Sequence, residues 1–179
     1  MILNIRGTHG SGKSWLVHQL LSKGNEPITN GYGSILGYEL PWCGGSVVGK
    51  YVTACGGCDG IKTADEVCSR VREFSKRFDH VVFEGILVSH TFKRYSALAN
   101  ELDNFWFLFL DTPLAMCISR VKARRKAKGN TKPFDPRNVV KDYHNVYGTV
   151  KQKCLDAQHN VEVLSWKDPL PRVLEMLQS

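Results

Sequence analysis

Gly7-Thr8-His9-Gly10-Ser11-Gly12-Lys13-Ser14 is the stretch on which the fold turns. It fits G-x-x-x-x-G-K-[ST], and its surroundings are those the pattern requires: a short apolar strand over 2–5, then a helix over 15–21 with Leu16, Leu20 and Leu21 on one side. A chance match in a chain of this length occurs on the order of one time in a hundred, so the pattern is read as functional. Glycines let consecutive backbone N–H groups turn inward as an anion nest, and the new helix points the positive end of its dipole at the same place. Lys13 adds a mobile charge for the β- and γ-phosphates, and the Ser14 hydroxyl is a ligand for Mg²⁺. A tight turn without a ligand needs neither side chain. Gly7, Thr8, His9, Gly10, Ser11, Gly12, Lys13 and Ser14 are therefore expected to hold the phosphates of ATP together with Mg²⁺, although nothing in the loop separates ATP from GTP.

Outward from this loop, strand-like and helix-like segments alternate, the signature of a parallel sheet covered by helices. Thr63 and Glu66 form a capping box for a helix with Val67, Val71 and Phe74 on one face. Residues 81–83 read as a buried strand, 92–102 as a helix, and 105–110 (FWFLFL) as a central strand covered on both faces. Pro113 starts a basic helix, Asp135 and Pro136 open another reaching about 155, 161–164 is the last strand and 169–177 the last helix. The expected fold is a three-layer α/β/α P-loop kinase fold in a single domain over 1–179, with a parallel central sheet of about five strands. Residues 34–40 and 47–52 flank the turn-forming 41–45. They predict a β-hairpin flap, so that 31–62 becomes flap and acceptor-side loop; the alternative is an ordinary pair of sheet strands.

Four further clusters carry chemistry. His80-Val81-Val82-Phe83-Glu84-Gly85 sets a carboxylate at the C-terminal end of a buried strand, where open α/β sheets bind ligands, and makes Glu84 the candidate carboxylate for Mg²⁺ or for the acceptor. Ala54-Cys55-Gly56-Gly57-Cys58-Asp59-Gly60-Ile61 is a second glycine-rich loop, in which Asp59 is placed to align a hydroxyl nucleophile and accept its proton; a plain Asp-Gly turn is the alternative. Arg120 and Arg124 project from one helix face before a Gly-containing segment, which predicts a lid over 120–136 carrying cations to the transferring phosphoryl group. Trp166 follows the last strand, where it packs either over a nucleobase or into the core. Tyr38, Trp42 and Tyr51 are placed to stack on a base or to pack within the hairpin.

The 24 Lys and Arg against 17 Asp and Glu give a net charge of +7 and favour an anionic partner, nucleotide or nucleic acid. No apolar run approaches the length of a membrane helix and the start lacks the pattern of a signal peptide, so a soluble cytoplasmic protein without a membrane partner is expected. Only Cys55 and Cys58 of the six cysteines have C-x-x-C spacing, too few ligands for zinc without a second pair, and Cys68 and Cys117 read as buried thiols.

The P-loop, the strand running into Asp111-Thr112-Pro113 and the arginine helix together resemble the nucleoside and nucleotide kinases. That resemblance implies a lid at Arg120, Arg124 and Arg125 and an adenine contact at 166–168. Gly49-Lys50-Tyr51, Cys55-Gly56-Gly57-Cys58-Asp59-Gly60-Ile61 and Phe83-Glu84-Gly85-Ile86-Leu87 are similar to bacteriophage P-loop kinases that phosphorylate 5-hydroxymethyluracil within DNA, which implies DNA with a hydroxymethylated base as acceptor and Asp59 as the group that activates its oxygen. Two other readings stand beside it. A deoxynucleoside or deoxynucleoside monophosphate kinase needs an arginine clamp, for which Arg70, Arg72 or Arg94 are available. A nucleotide-dependent switch ATPase needs no hydroxyl-activating acid.

Overall fold

The computed structural model describes residues 1–179. β1 (Ile2–Arg6) runs into the phosphate loop and α1 (Lys13–Leu21) leaves it. β2 (Glu26–Thr29), β3 (Ile35–Leu40) and β4 (Gly45–Val48) follow, then α2 (Ala64–Ser75), β5 (His80–Glu84), α3 (Ile86–His90) and α4 (Lys93–Glu101). β6 (Phe105–Asp111), α5 (Leu114–Ala127), α6 (Arg137–Tyr143), α7 (Lys151–Asp156), β7 (Asn160–Ser165) and α8 (Leu170–Gln178) complete the chain. The strands form one sheet in the order β2-β3-β4-β5-β1-β6-β7. β4, β5, β1, β6 and β7 are mutually parallel.

Period-two alternation sorts the side chains into two cores. Phe105, Phe107 and Phe109 of β6 face a layer made by α2, α3, α4 and the α6–α7 segment, while Leu108 and Leu110 face α1 and α8. β1 is buried along its whole length between β5 and β6, which holds the phosphate loop at the centre of the sheet's carboxyl edge. Thr63 caps α2, its side chain accepting from the Glu66 amide at 3.1 Å. The reciprocal half of the capping box is missing because Glu66 pairs with Arg70 instead.

The hairpin is not a flap. β3 pairs antiparallel with β4, β4 parallel with β5, and β2 antiparallel with β3, so the segment widens the sheet to seven strands. The reason is burial: Tyr38, Leu40 and Val47 lie in the α1 core, and Gly37 leaves room for the Phe74 ring of α2 against the strand. Residues 49–62 stand off the sheet, pinned by paired backbone bonds between Lys50 and Gly57. The segment expected as a lid divides in two. Arg120 and Arg124 lie within α5, and residues 128–136 have no regular structure. The next helix starts at Arg137, one residue later than expected, and Asp135 still accepts from the Arg137 amide at 3.0 Å. It passes through a π-helical stretch, His144–Val150, before α7. No helix is long and apolar enough to cross a membrane.

Candidate active site at the phosphate loop

Gly10 sits at φ 77°, and a β-carbon there would lie 2.5 Å from the Cys117 carbonyl oxygen, so the loop can lie on the start of α5 only with glycine at this position. Thr112 Oγ1 donates to the Ser11 carbonyl at 2.8 Å, and Arg120 Nη1 donates to the Gly10 carbonyl at 3.2 Å. On the opposite side Ser89 Oγ accepts from the Gly7 amide at 3.2 Å, and Tyr147, in the π-helical stretch, donates to the Leu110 carbonyl at 2.5 Å. The loop is thus held by Thr112 at the end of β6, by α5 and by α3, while the π turn is tied to the neighbouring end of β6. Lys13 Nζ folds back on the Gly7 and Thr8 carbonyls at 2.8 and 3.2 Å, and the Thr8 and Ser11 hydroxyls are buried without partners. The amides at the start of α1 have no intrahelical acceptors, and Gly12, Lys13 and Ser14 line a cleft of about 430 Å³.

The second wall of this cleft comes from the end of β5 and the glycine-rich loop. Glu84 is 1% exposed, and its Oε1 accepts from Ser14 Oγ at 2.9 Å and from Tyr51 Oη at 3.3 Å. Burial pushes the Glu84 carboxyl up to about 7, an effect that the nearby Lys13 ammonium opposes. Burial likewise pulls Lys13 down, with Glu84 and Asp59 holding it up. Asp59 lines the same cleft and accepts from the Ile86 amide at 2.6 Å, which ties the glycine-rich loop to the start of α3. Gly57, at φ 82°, lets that loop pass directly over Glu84: a β-carbon there would come within 2.6 Å of Glu84 Oε1.

Arginines from α5 close the third side. Arg124 Nη1 lies 3.0 Å from Cys55 Sγ, a contact that joins α5 to the glycine-rich loop across the cleft. The Arg120 guanidinium stacks on the Trp166 ring with its carbon 5.2 Å from the centroid. Beyond Arg120 a second cavity of about 360 Å³ is lined by Gly12, Trp15, Leu110, Trp166 and Pro169, an aromatic-walled space beside the phosphate loop. Cys58 is buried and points its thiol at the Val48 carbonyl, so the two cysteines of the C-x-x-C have separate partners.

His9, Gly10, Ser11, Gly12, Lys13, Ser14, Asp59, Glu84, Arg120 and Arg124, singled out from scattered parts of the sequence, thus line one cleft; Trp166 lines the adjoining one, and Gly7 and Thr8 form the loop's floor. The hairpin aromatics do not join them as stacking surfaces. Tyr38 and Tyr51 are buried against each other with centroids 6.2 Å apart, and Trp42 is packed at the margin of the same core. Arg70, Arg72 and Arg94 are also elsewhere, paired with Glu66, Glu101 and Asp65.

Three features escaped the sequence. Tyr51 reaches Glu84. Arg6 is fully buried between the Phe107 and Tyr95 rings and donates to Asn4 Oδ1 at 2.6 Å and to the Ser89 and Thr91 carbonyls, which anchors α3 behind the loop. Asp142 of α6 lies 3.4 Å from His9 and 3.6 Å from His90. Only the unusual charge at the end of an otherwise apolar strand, Arg6, left a trace that could have been followed.

A strand, phosphate loop and helix at the carboxyl edge of a parallel sheet, faced by a buried carboxylate and arginines, define a P-loop phosphotransferase. The fold is shared with a deoxyadenosine kinase from M. mycoides solved with bound dATP, at a TM-score of 0.50 over the full length of both chains and 16% identity. Residues 1–156 match the family model for 5-hmdU DNA kinase. A 5-hmdU DNA kinase of Pseudomonas phage PaMx11 is 38% identical over 163 residues, covering 87% of this chain and 85% of the relative. Another, of Delftia phage PhiW-14, is 31% identical over 87% of this chain and 64% of its own length. The chain belongs to the 5-hmdU DNA kinase family.

Proposed function

We propose that this chain transfers the γ-phosphoryl group of ATP to the hydroxymethyl oxygen of 5-hydroxymethyluracil within DNA. The observation that carries the reading is the convergence of Asp59 and Glu84 on Lys13 in one open cleft. A switch that only binds and hydrolyses nucleotide has no use for a second carboxylate facing the acceptor side. A kinase for free monophosphates needs an arginine clamp, and the arginines available for one are occupied in ion pairs outside the cleft.

In this reading the amides of residues 7–14 and the Lys13 ammonium hold the β- and γ-phosphates, and the base of the nucleotide lies against Trp166 and Arg120. Lys13 leaves the Gly7 and Thr8 carbonyls for the phosphates. Mg²⁺ when bound neutralises charge on the phosphate oxygens, and the Ser14 hydroxyl and Glu84 carboxylate, 2.9 Å apart, form a donor pair suited to it, directly or through water. Asp59 aligns the hydroxymethyl group and takes its proton as the oxygen bonds to the γ-phosphorus; the bond from that phosphorus to the β,γ-bridging oxygen breaks and ADP departs. Arg120 and Arg124 face the charge that moves onto the leaving group. For a base within duplex DNA, extrusion costs a few kcal/mol, drawn from contacts to the strand. The partners are thus ATP and DNA carrying the modified base, and the site of action is the cytoplasm of a phage-infected cell.

The product tests this. After incubation with ATP and Mg²⁺, 5-hydroxymethyluracil DNA digested to nucleosides should contain the phosphomonoester of the hydroxymethyl group by mass spectrometry. Phosphate found only at strand ends, or ADP formed with no phosphorylated nucleoside, would overturn the reading.

A further inference from the structure

The glycine-rich loop has two sides. Asp59 lines the catalytic cleft, whereas Gly57, Gly60 and Ile61 turn their other face to a separate cavity of about 440 Å³, lined also by Asn30, Lys50, Lys62 and the Glu66–Arg70 ion pair. This cavity opens at the same carboxyl edge, since β4 ends there, the β2–β3 turn lies there, and α2 starts there. Lys50 and Lys62 are exposed and take part in no ion pair.

At the tip of the adjoining β2–β3 turn stands Tyr32, 96% exposed. The turn that carries it is ordered by its own bonds. Asn30 Oδ1 accepts from the Tyr32 amide at 3.0 Å and from the Ser34 amide at 2.9 Å, and the Gly33 amide donates to the Asn30 carbonyl at 2.9 Å. A large aromatic ring held outward in water on a bonded turn, beside a groove with two unpaired lysines, is the combination by which proteins grip a nucleic-acid strand: cations for phosphates and a ring for a base.

We propose that the groove of Lys50 and Lys62, with Tyr32 at its rim, is the docking surface for the acceptor DNA strand, so that the target base crosses the Gly57–Gly60 wall to Asp59 while the flanking phosphates stay on the lysine side. This rests on the proposed function and adds where the polymer runs. Tyr32 stacks on a base next to the target, the role that the buried Tyr38 and Tyr51 cannot fill.

The test measures binding of a fluorescently labelled 5-hydroxymethyluracil oligonucleotide by anisotropy across a salt series, with the affinity for ATP measured beside it. Each phosphate contact adds about 0.7 to 0.9 to the slope of log affinity against log salt, so the double variant Lys50→Ala, Lys62→Ala should flatten that slope by about 1.4 to 1.8. Tyr32→Ala should weaken binding about five- to 150-fold, and Tyr32→Phe should restore it. In transfer assays KM for DNA should rise with kcat near wild type, and affinity for ATP should not change. An unaltered salt slope in the lysine variant, or an unaltered affinity in Tyr32→Ala, would overturn the docking surface, as would a loss seen only when Arg125 and Lys126, in the last turn of α5, are both changed to alanine. Failure of the wild type to phosphorylate the oligonucleotide would instead count against the proposed function, which the binding data read independently.

Discussion

Tyr51→Phe should shift the pH dependence of kcat/KM for Mg·ATP to the alkaline side without disturbing the fold. Tyr51 Oη donates to Glu84 Oε1 at 3.3 Å, and its ring is buried against Tyr38 and His18, contacts that phenylalanine keeps. Removing a donor to a charged carboxylate forfeits about 1.5 kcal/mol, at the low end for a bond this long. At 1.36 kcal/mol per pH unit that is a shift of about one unit. The wild-type Glu84 carboxyl is raised to about 7 by burial, so its half-point should move to about 8. At pH 7 the ionised fraction then falls from about a half to about a tenth, a roughly fivefold loss that disappears above about pH 9. Because kcat/KM reports groups of the free enzyme, the shift is read there and not in kcat, where bound Mg²⁺ favours the ionised form. Superimposable profiles for wild type and variant, or a wild-type half-point below about 5.5, would refute the assignment of Glu84 as the titrating group.

The same carboxyl links function to stability. With its folded pKa near 7 against 4.5 in the unfolded chain, Glu84 carries a stability cost that builds up as pH rises from 4.5 to 7, stays constant above 7 and is absent below 4.5. Glu84→Gln should therefore be more stable than wild type above pH 8, by up to about 3 kcal/mol, with little difference at pH 4.5 and with transfer lost. Asp59→Asn keeps an oxygen for the Ile86 amide and should still lower kcat about 10²- to 10⁴-fold while ATP affinity holds; retained transfer would remove Asp59 from the mechanism. Gly57→Ala places a methyl group 2.6 Å from Glu84 Oε1 at a positive φ, and should cost about 1 to 3 kcal/mol in chemical denaturation and weaken Mg·ATP binding.

What could be read from the sequence had local causes. The phosphate loop needs glycines and a lysine at set spacing, β6 needs an unbroken apolar run, and α2 needs its cap and its Val67-Val71-Phe74 face, so each is written in a few adjacent residues. Asp59 and Glu84 were found because each ends or follows a strand pattern, although their meeting at Lys13 depends on β5 pairing next to β1. What was missed or misjudged depends on partners distant in the chain. The hairpin joined the sheet because Tyr38, Leu40 and Val47 bury against α1, which its glycines concealed. α3 spans only Ile86–His90, too short to show a period, and the π turn sets Val146 and Val150 in the core beside β6 while Tyr147 reaches Leu110, partners distant in the chain. Tyr51 read as a stacking aromatic and is instead the support of a buried carboxylate.

The most direct measurement is the fate of label from γ-labelled ATP offered with Mg²⁺ to 5-hydroxymethyluracil DNA, thymine DNA and free deoxynucleotides in parallel, with Lys13→Ala as control. Label carried only by the hydroxymethylated DNA, and absent with Lys13→Ala, is the predicted result; label on the free nucleotides alone would contradict it and return the chain to the metabolic kinases.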